Sequence, residues 1–103
     1  MATRETIEFN FKKALGQADK IDTIANNLSK LSGREFGGTL QNLSANWKGE
    51  NASLYLTKGS NLQEKMNGTA GELHSVASDI RTIAKRLYDA EMAALSIAAT
   101  RTY

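Results

Sequence analysis

The chain contains no proline and no cysteine, and only one histidine and one tryptophan among its 103 residues. Without cysteine there is neither a disulfide framework nor thiolate chemistry, and cysteine usage says nothing about compartment. Proline is the commonest helix breaker, and a chain of this length at average usage would carry about five. Its absence favours long helices. The lone His74 can form no His pair for zinc and, with no Cys, no Cys–His nucleophilic pair; following Leu73, it is placed on the solvated side of its helix. Long hydrophobic runs are missing too, so no membrane span is expected. The start, MATRETIEFN, lacks the basic head and apolar stretch of a secretory signal.

Recognisable cofactor chemistry is also absent. Gly37-Gly38 and Gly68-x-x-Gly71 are followed by no Lys-Ser/Thr and preceded by no strand, so the phosphate-loop reading fails. Carboxylate pairs such as Asp19 with Asp22, or Asp89 with Glu91, lie among Lys and Arg and read as solvated helix faces. No catalytic residue, metal ligand or cofactor is assigned, and the protein is read as non-enzymatic.

What remains is 41% apolar and 23% charged, the composition of a soluble globular protein of one domain. A domain this small hides only about two-thirds of the surface its unfolded chain exposes, so a partner would help it. Lys and Arg number 13 against 11 acids, interspersed, for a net charge of +2. The densest basic patch is Arg81, Lys85 and Arg86. A nucleic-acid contact would rest on that patch and the basic pI alone and is the weakest functional reading.

Periodicity carries most of the information. Thr6 to Phe11 alternates polar and apolar, a period of two, and reads as an extended lead-in over residues 1–10 with Asn10 as N-cap of the next helix. From Phe11, apolar or small residues fall at Ala14, Ala18, Ile21, Ala25 and Leu28, one face of a first helix over residues 11–46. Leu15, Ile24 and Leu31 widen that stripe. Three glycines in SGREFGG predict a break near residues 32–38, after which Phe36, Leu40, Leu43 and Trp47 resume the spacing. A second helix, residues 50–92, shows the strongest repeat: Ala52, Tyr55, Gly59, Leu62, Met66, Thr69, Leu73, Val76, Ile80, Ile83 and Leu87, flanked by Leu56, Ala70, Ala77 and Ala84. The Ala-rich residues 93–103 either extend it or fray.

Two helices joined by a short turn form an antiparallel hairpin, and its stripes are too wide for one mate to cover. The predicted fold is therefore all-α, a helical hairpin dimerising into an elongated four-helix bundle. Its tip is Trp47-Lys48-Gly49: Gly49 supplies the backbone freedom of a reversal, and the Trp47 indole can lie across the open bundle end.

Trp47-Lys48-Gly49 mid-chain, between two apolar-periodic helices in about a hundred residues, resembles the WXG family of ESAT-like substrates of type VII secretion. The resemblance implies a homodimer or a heterodimer with a related hairpin, exported from a cytoplasmic pool without a cleaved signal and recognised by a membrane-bound secretion ATPase. It also implies a secreted role in virulence or competition between bacteria. In that family the Trp-x-Gly turn and a Tyr-x-x-x-Asp/Glu motif after the second helix form a composite export signal. This chain offers Tyr88, Asp89 and Glu91, with Met92 four residues after the tyrosine and acids one and three residues on. On a helix Glu91 shares the face of Tyr88. A second task is compatible with the same resemblance: an adaptor that binds the helical N-terminal region of a larger toxin and targets it for export.

Overall fold

Helix formation starts at Thr3. In the computed structural model, which describes residues 3–100, Thr3 Oγ1 accepts a hydrogen bond from the Thr6 backbone N–H at 3.2 Å, and the Thr3 carbonyl accepts from the Ile7 N–H at 2.9 Å. The hydroxyl thereby satisfies an amide that a first turn leaves without an intrahelical partner. Helix α1 spans Arg4–Lys30, followed by a π-helical turn at Leu31–Phe36, helix α2 at Gly37–Asn46 and helix α3 at Glu50–Thr100. Thr3 and Trp47 to Gly49 are the only described residues outside helix.

The extended lead-in expected over residues 1–10 is thus helical from Arg4, and Thr3 rather than Asn10 is the cap. The reason lies in Ile7, which continues the 4-3 spacing of Phe11, Ala14 and Ala18 one turn upstream and is only 3% exposed. Phe9, which the period-of-two reading places beside it, is exposed. Of the two outcomes open for the tail, helical extension holds through Thr100; residues 101–103 lie outside the described ones.

The chain packs as two compact units, residues 1–21 with 75–103 and residues 22–74. In the first, the Phe11 ring stacks on Tyr88 with centroids 4.6 Å apart, and Asp19 Oδ1 accepts from Arg81 Nη2 at 2.8 Å. In the second, Asp22 meets His74, Ser32 meets Gln63, and Trp47 meets Tyr55. One partner's number falls as the other's rises, so each unit pairs its helices antiparallel, and the second unit is a helical hairpin.

The innermost positions are small. Ala18 and Ala77 are buried in the first unit, beside Ile7; Ala25, Ser32, Ala52 and Ala70 are buried in the second. Small residues at a contact let helix axes approach toward the short end of the usual 8–10 Å. Gly59 marks the tightest point, since a Cβ there would come within 2.5 Å of Leu40 Cδ2.

The π turn keeps the seam in phase. Ala18, Ala25 and Ser32 recur every seventh residue, but the next equivalent position, Leu40, comes eight after Ser32. In a regular α-helix that extra residue would rotate Leu40 about 100° off the contact line. The π turn absorbs it, with the Gly37 N–H directed at the Ser32 and Arg34 carbonyls. The break expected near residues 32–38 is therefore a register shift within continuous helix.

Gly59→Ala tests the close approach. It should lower stability by about 1 kcal/mol in urea unfolding, because overpacking outweighs the gain in helix propensity, and should become stabilising in a Leu40→Ala background. Gly71→Ala, where a Cβ meets open space, should raise stability by about 0.5–1 kcal/mol.

Candidate functional site

The packing residues expected from sequence divide into two groups. Ala18 is buried, and Phe11, Ala14, Leu15, Ile21, Leu28, Met66, Leu73 and Ile80 are half-buried. Tyr55, Leu62, Val76, Ile83 and Leu87 are exposed, Tyr55 at 61% and Ile83 at 63%. The most buried residues of α3 are Ala52, which the expected repeat includes, and Ala70 and Ala77, which it places on a widening flank; Gly59 meets Leu40, and Gln63 bonds to Ser32.

In the second unit four exposed large apolar residues share one flank, apart from Trp47 and Leu54. Ile24 and Leu31 each precede a buried seam residue of the first strand of the hairpin, Ala25 and Ser32, by one position; Tyr55 and Leu62 precede Leu56 and Gln63 in the same way. In an antiparallel pair, side chains with the same offset from the seam lie on the same side. Asp22 and His74 each follow a seam residue by four, Ala18 and Ala70, and so occupy the opposite side, where His74 Nδ1 lies 2.7 Å from Asp22 Oδ1. One flank is greasy and the other is polar.

In the seam, beside the π turn, Ser32 and Gln63 form a reciprocal bracket. Ser32 Oγ donates to the Gln63 carbonyl at 3.2 Å, and Gln63 Nε2 donates to the Ser32 carbonyl at 2.8 Å. Gly37 lies next to it, and a Cβ there would come within 2.9 Å of Gln63 Nε2 and press on that amide. The bracket borders an open groove of about 480 Å³. Gly33, Gly37 and Gly38 remove side chains from its α2 side; Leu40 and Leu56 supply its apolar lining; Arg34, Gln41, Ser44 and Ser60 supply polar groups. Sequence reading missed this groove because it takes the glycines as breakers. Their recurrence at positions 33 and 37, one helical turn apart on a single face, was the available signal.

Trp47 and Gly49 lie between α2 and α3. The Trp47 N–H donates to the Leu43 carbonyl at 2.9 Å and closes α2; Gly49 takes φ of +119°, which residues with a Cβ rarely adopt, and its carbonyl accepts from the Ser53 N–H in the first turn of α3. The indole packs tilted on the Tyr55 ring, centroids 5.5 Å apart, and stays 39% exposed.

In the first unit, Tyr88 is half-buried by its stack on Phe11, and both line a small cleft of about 60 Å³ with Ile7 and Glu91. Lys85 Nζ sits 5.4 Å from the Tyr88 ring centroid and donates to Asp89 Oδ1 at 2.8 Å. That hydrogen bond, and then the charge of Asp89, holds the Lys85 ammonium above the ordinary lysine pKa. Of the candidate export residues, Tyr88 and Glu91 therefore turn toward α1, while Asp89 pairs outward with Lys85. Two cations of the basic patch, Arg81 and Lys85, already have carboxylate partners. No described helix is long and apolar enough to cross a membrane.

No protein-family profile, curated protein or solved structure matches the chain.

The Phe11–Tyr88 stack predicts unequal substitution costs. Phe11→Ala should destabilise by about 2 kcal/mol in thermal unfolding, less than for a fully enclosed ring because Phe11 is half-buried. Tyr88→Phe, which keeps the stacked ring, should stay within about 0.5 kcal/mol of the parent.

Proposed function

We propose that this chain is a Trp-x-Gly helical hairpin that serves, without catalysis, as a substrate or co-secreted partner of a type VII secretion system. In this reading its greasy flank pairs with a second copy or a related hairpin to form a four-helix bundle. The observation that carries the reading is the set of large apolar side chains each unit leaves in water: Ile24, Leu31 and Leu62 in one, Val76, Ile83 and Leu87 in the other. Scattered apolar residues are ordinary on a surface, but rows at heptad spacing are the mark of helices that expect another helix.

Two further features support it. Trp47-Lys48-Gly49 separates the helices at the place such a turn requires, and one chain leaves the indole over a third exposed, for a partner's helices to cover. The export signal would combine this turn with Tyr88, Asp89 and Glu91, read by the secretion ATPase, and the protein would reach the cell exterior from a cytoplasmic pool without losing a leader.

The state of those export residues favours a second version, an adaptor for a larger toxin. With the Tyr88 ring held on Phe11 and Asp89 held by Lys85, a partner chain would complete the signal. Co-purification separates the two, since an adaptor brings with it the helical N-terminal region of a toxin encoded nearby.

In sedimentation at tens of micromolar, the purified chain should run as two subunits. Leu62→Glu with Ile83→Glu should run as one, with unchanged helical circular dichroism, because neither position faces the hairpin seam. A stable single subunit at high concentration for the parent would defeat the pairing. Removing the secretion ATPase from the host should reduce the extracellular protein severalfold; unchanged export would defeat the secretion reading.

A further inference from the structure

The groove beside the π turn combines features that no packing role uses. Its lining contains one ionisable group, the Arg34 guanidinium, and no carboxylate. Arg34 has no carboxylate partner among the described residues, so its guanidinium is open to a ligand in the groove. The hydroxyls differ from one another. Thr39, Thr57 and Thr82 each bond back to the carbonyl four residues earlier, the usual way a helical hydroxyl is satisfied, but Ser44 and Ser60 make no such bond. Gln63 uses its Nε2 on Ser32 and leaves its Oε1 unused, and Gln41, which also lines the groove, has a whole amide to offer.

We propose that this groove binds a short peptide segment bearing a carboxylate, with the carboxylate on Arg34 and the peptide groups between Gln41 and Gln63. Guanidinium and carboxylate match in planar, two-pronged geometry, so the one cation in the lining sets the charge of the ligand. A side-chain amide carries both a donor and an acceptor, the complement of a peptide group, and two of them border one groove. The Ser44 and Ser60 hydroxyls add adaptable contacts, and Leu40 and Leu56 offer apolar surface to the ligand's carbon atoms. A volume of about 480 Å³ falls within the 300–1,000 Å³ range of sites that enclose small ligands. The groove lies on the polar flank of its unit, away from Ile24, Leu31, Tyr55 and Leu62, so its occupation does not depend on the pairing proposed above.

The test is an amide NMR titration of the full chain with N-acetyl-glycyl-glycyl-glutamate, using its diamide as the neutral control and inorganic phosphate as a second anion. The peptide should shift amides of residues 33–44 and 56–63 with a Kd of about 1 mM or tighter. Arg34→Gln should weaken it by about tenfold, and Lys58→Gln, outside the groove, should leave it within about twofold. Gly33→Leu fills open space on a helix, so it should abolish binding while keeping or raising the thermal midpoint, which separates a lost site from a lost fold. Shifts that are absent, that survive Arg34→Gln, or that appear equally with the diamide would overturn the proposal. Phosphate binding as tightly as the peptide would overturn the peptide assignment.

Discussion

Everything in the fold follows from how closely the paired helices approach one another. The innermost positions are mostly alanine, serine and glycine, and a carbon added at Gly59 would displace the end of the Leu40 side chain. A seam of small residues brings backbones together and gains many close dispersion contacts, but it removes little apolar area from water per residue. Apart from Ile7 and the Phe11–Tyr88 stack, many of the large side chains lie on the flanks. Seen this way, the exposed leucines, isoleucines and valine are not an imperfection of the core. They are the consequence of choosing close approach over bulk, and they leave a hairpin that hides its smallest residues and displays its largest.

Close approach demands strict register, and this explains why the one irregularity in the helices falls where it does. An alanine seam tolerates no drift, because a residue a third of a turn out of phase would place a long side chain where only a methyl fits. The sequence runs eight residues from Ser32 to Leu40, and the π turn takes up the odd one. At the same height Ser32 and Gln63 exchange side-chain hydrogen bonds with each other's carbonyls, so the place where the helix widens is also where the two strands of the hairpin are pinned. The widened turn and its glycines then leave the groove open beside it. Register correction and cavity have one cause.

Much of this was legible in the sequence, and what was not has a physical reason. The absence of proline and the 4-3 repeats were enough for long helical stretches packed as a hairpin. The phase of the seam on α3 was not legible, because pattern reading weights side chains by size and hydropathy. It therefore favoured Tyr55, Leu62 and Ile83 over Ala70, Ala77 and Ala84, although in a closely packed pair the alanines face inward. The lead-in was misread for a related reason: across six residues a period of two and a helical repeat share Ile7 and Phe11, and they part only at Phe9, which the helix leaves exposed. The π turn left a trace in the eight-residue spacing, but three nearby glycines offered a simpler explanation as breakers.

The two flanks of the hairpin unit also differ in what kind of partner they can hold. A greasy row at heptad spacing gives strength through area and register through its repeat, and it suits a long helix that stays. The polar flank, with its Asp22–His74 pair and an open groove, buries little and offers directed hydrogen bonds, which suits a ligand that comes and goes. Because same-offset residues fall on the same side of an antiparallel pair, the two surfaces are kept apart by the seam itself, and a helix seated on one does not block the other. A hairpin with so little interior can therefore carry two separate contacts, and it can do so because its core is small.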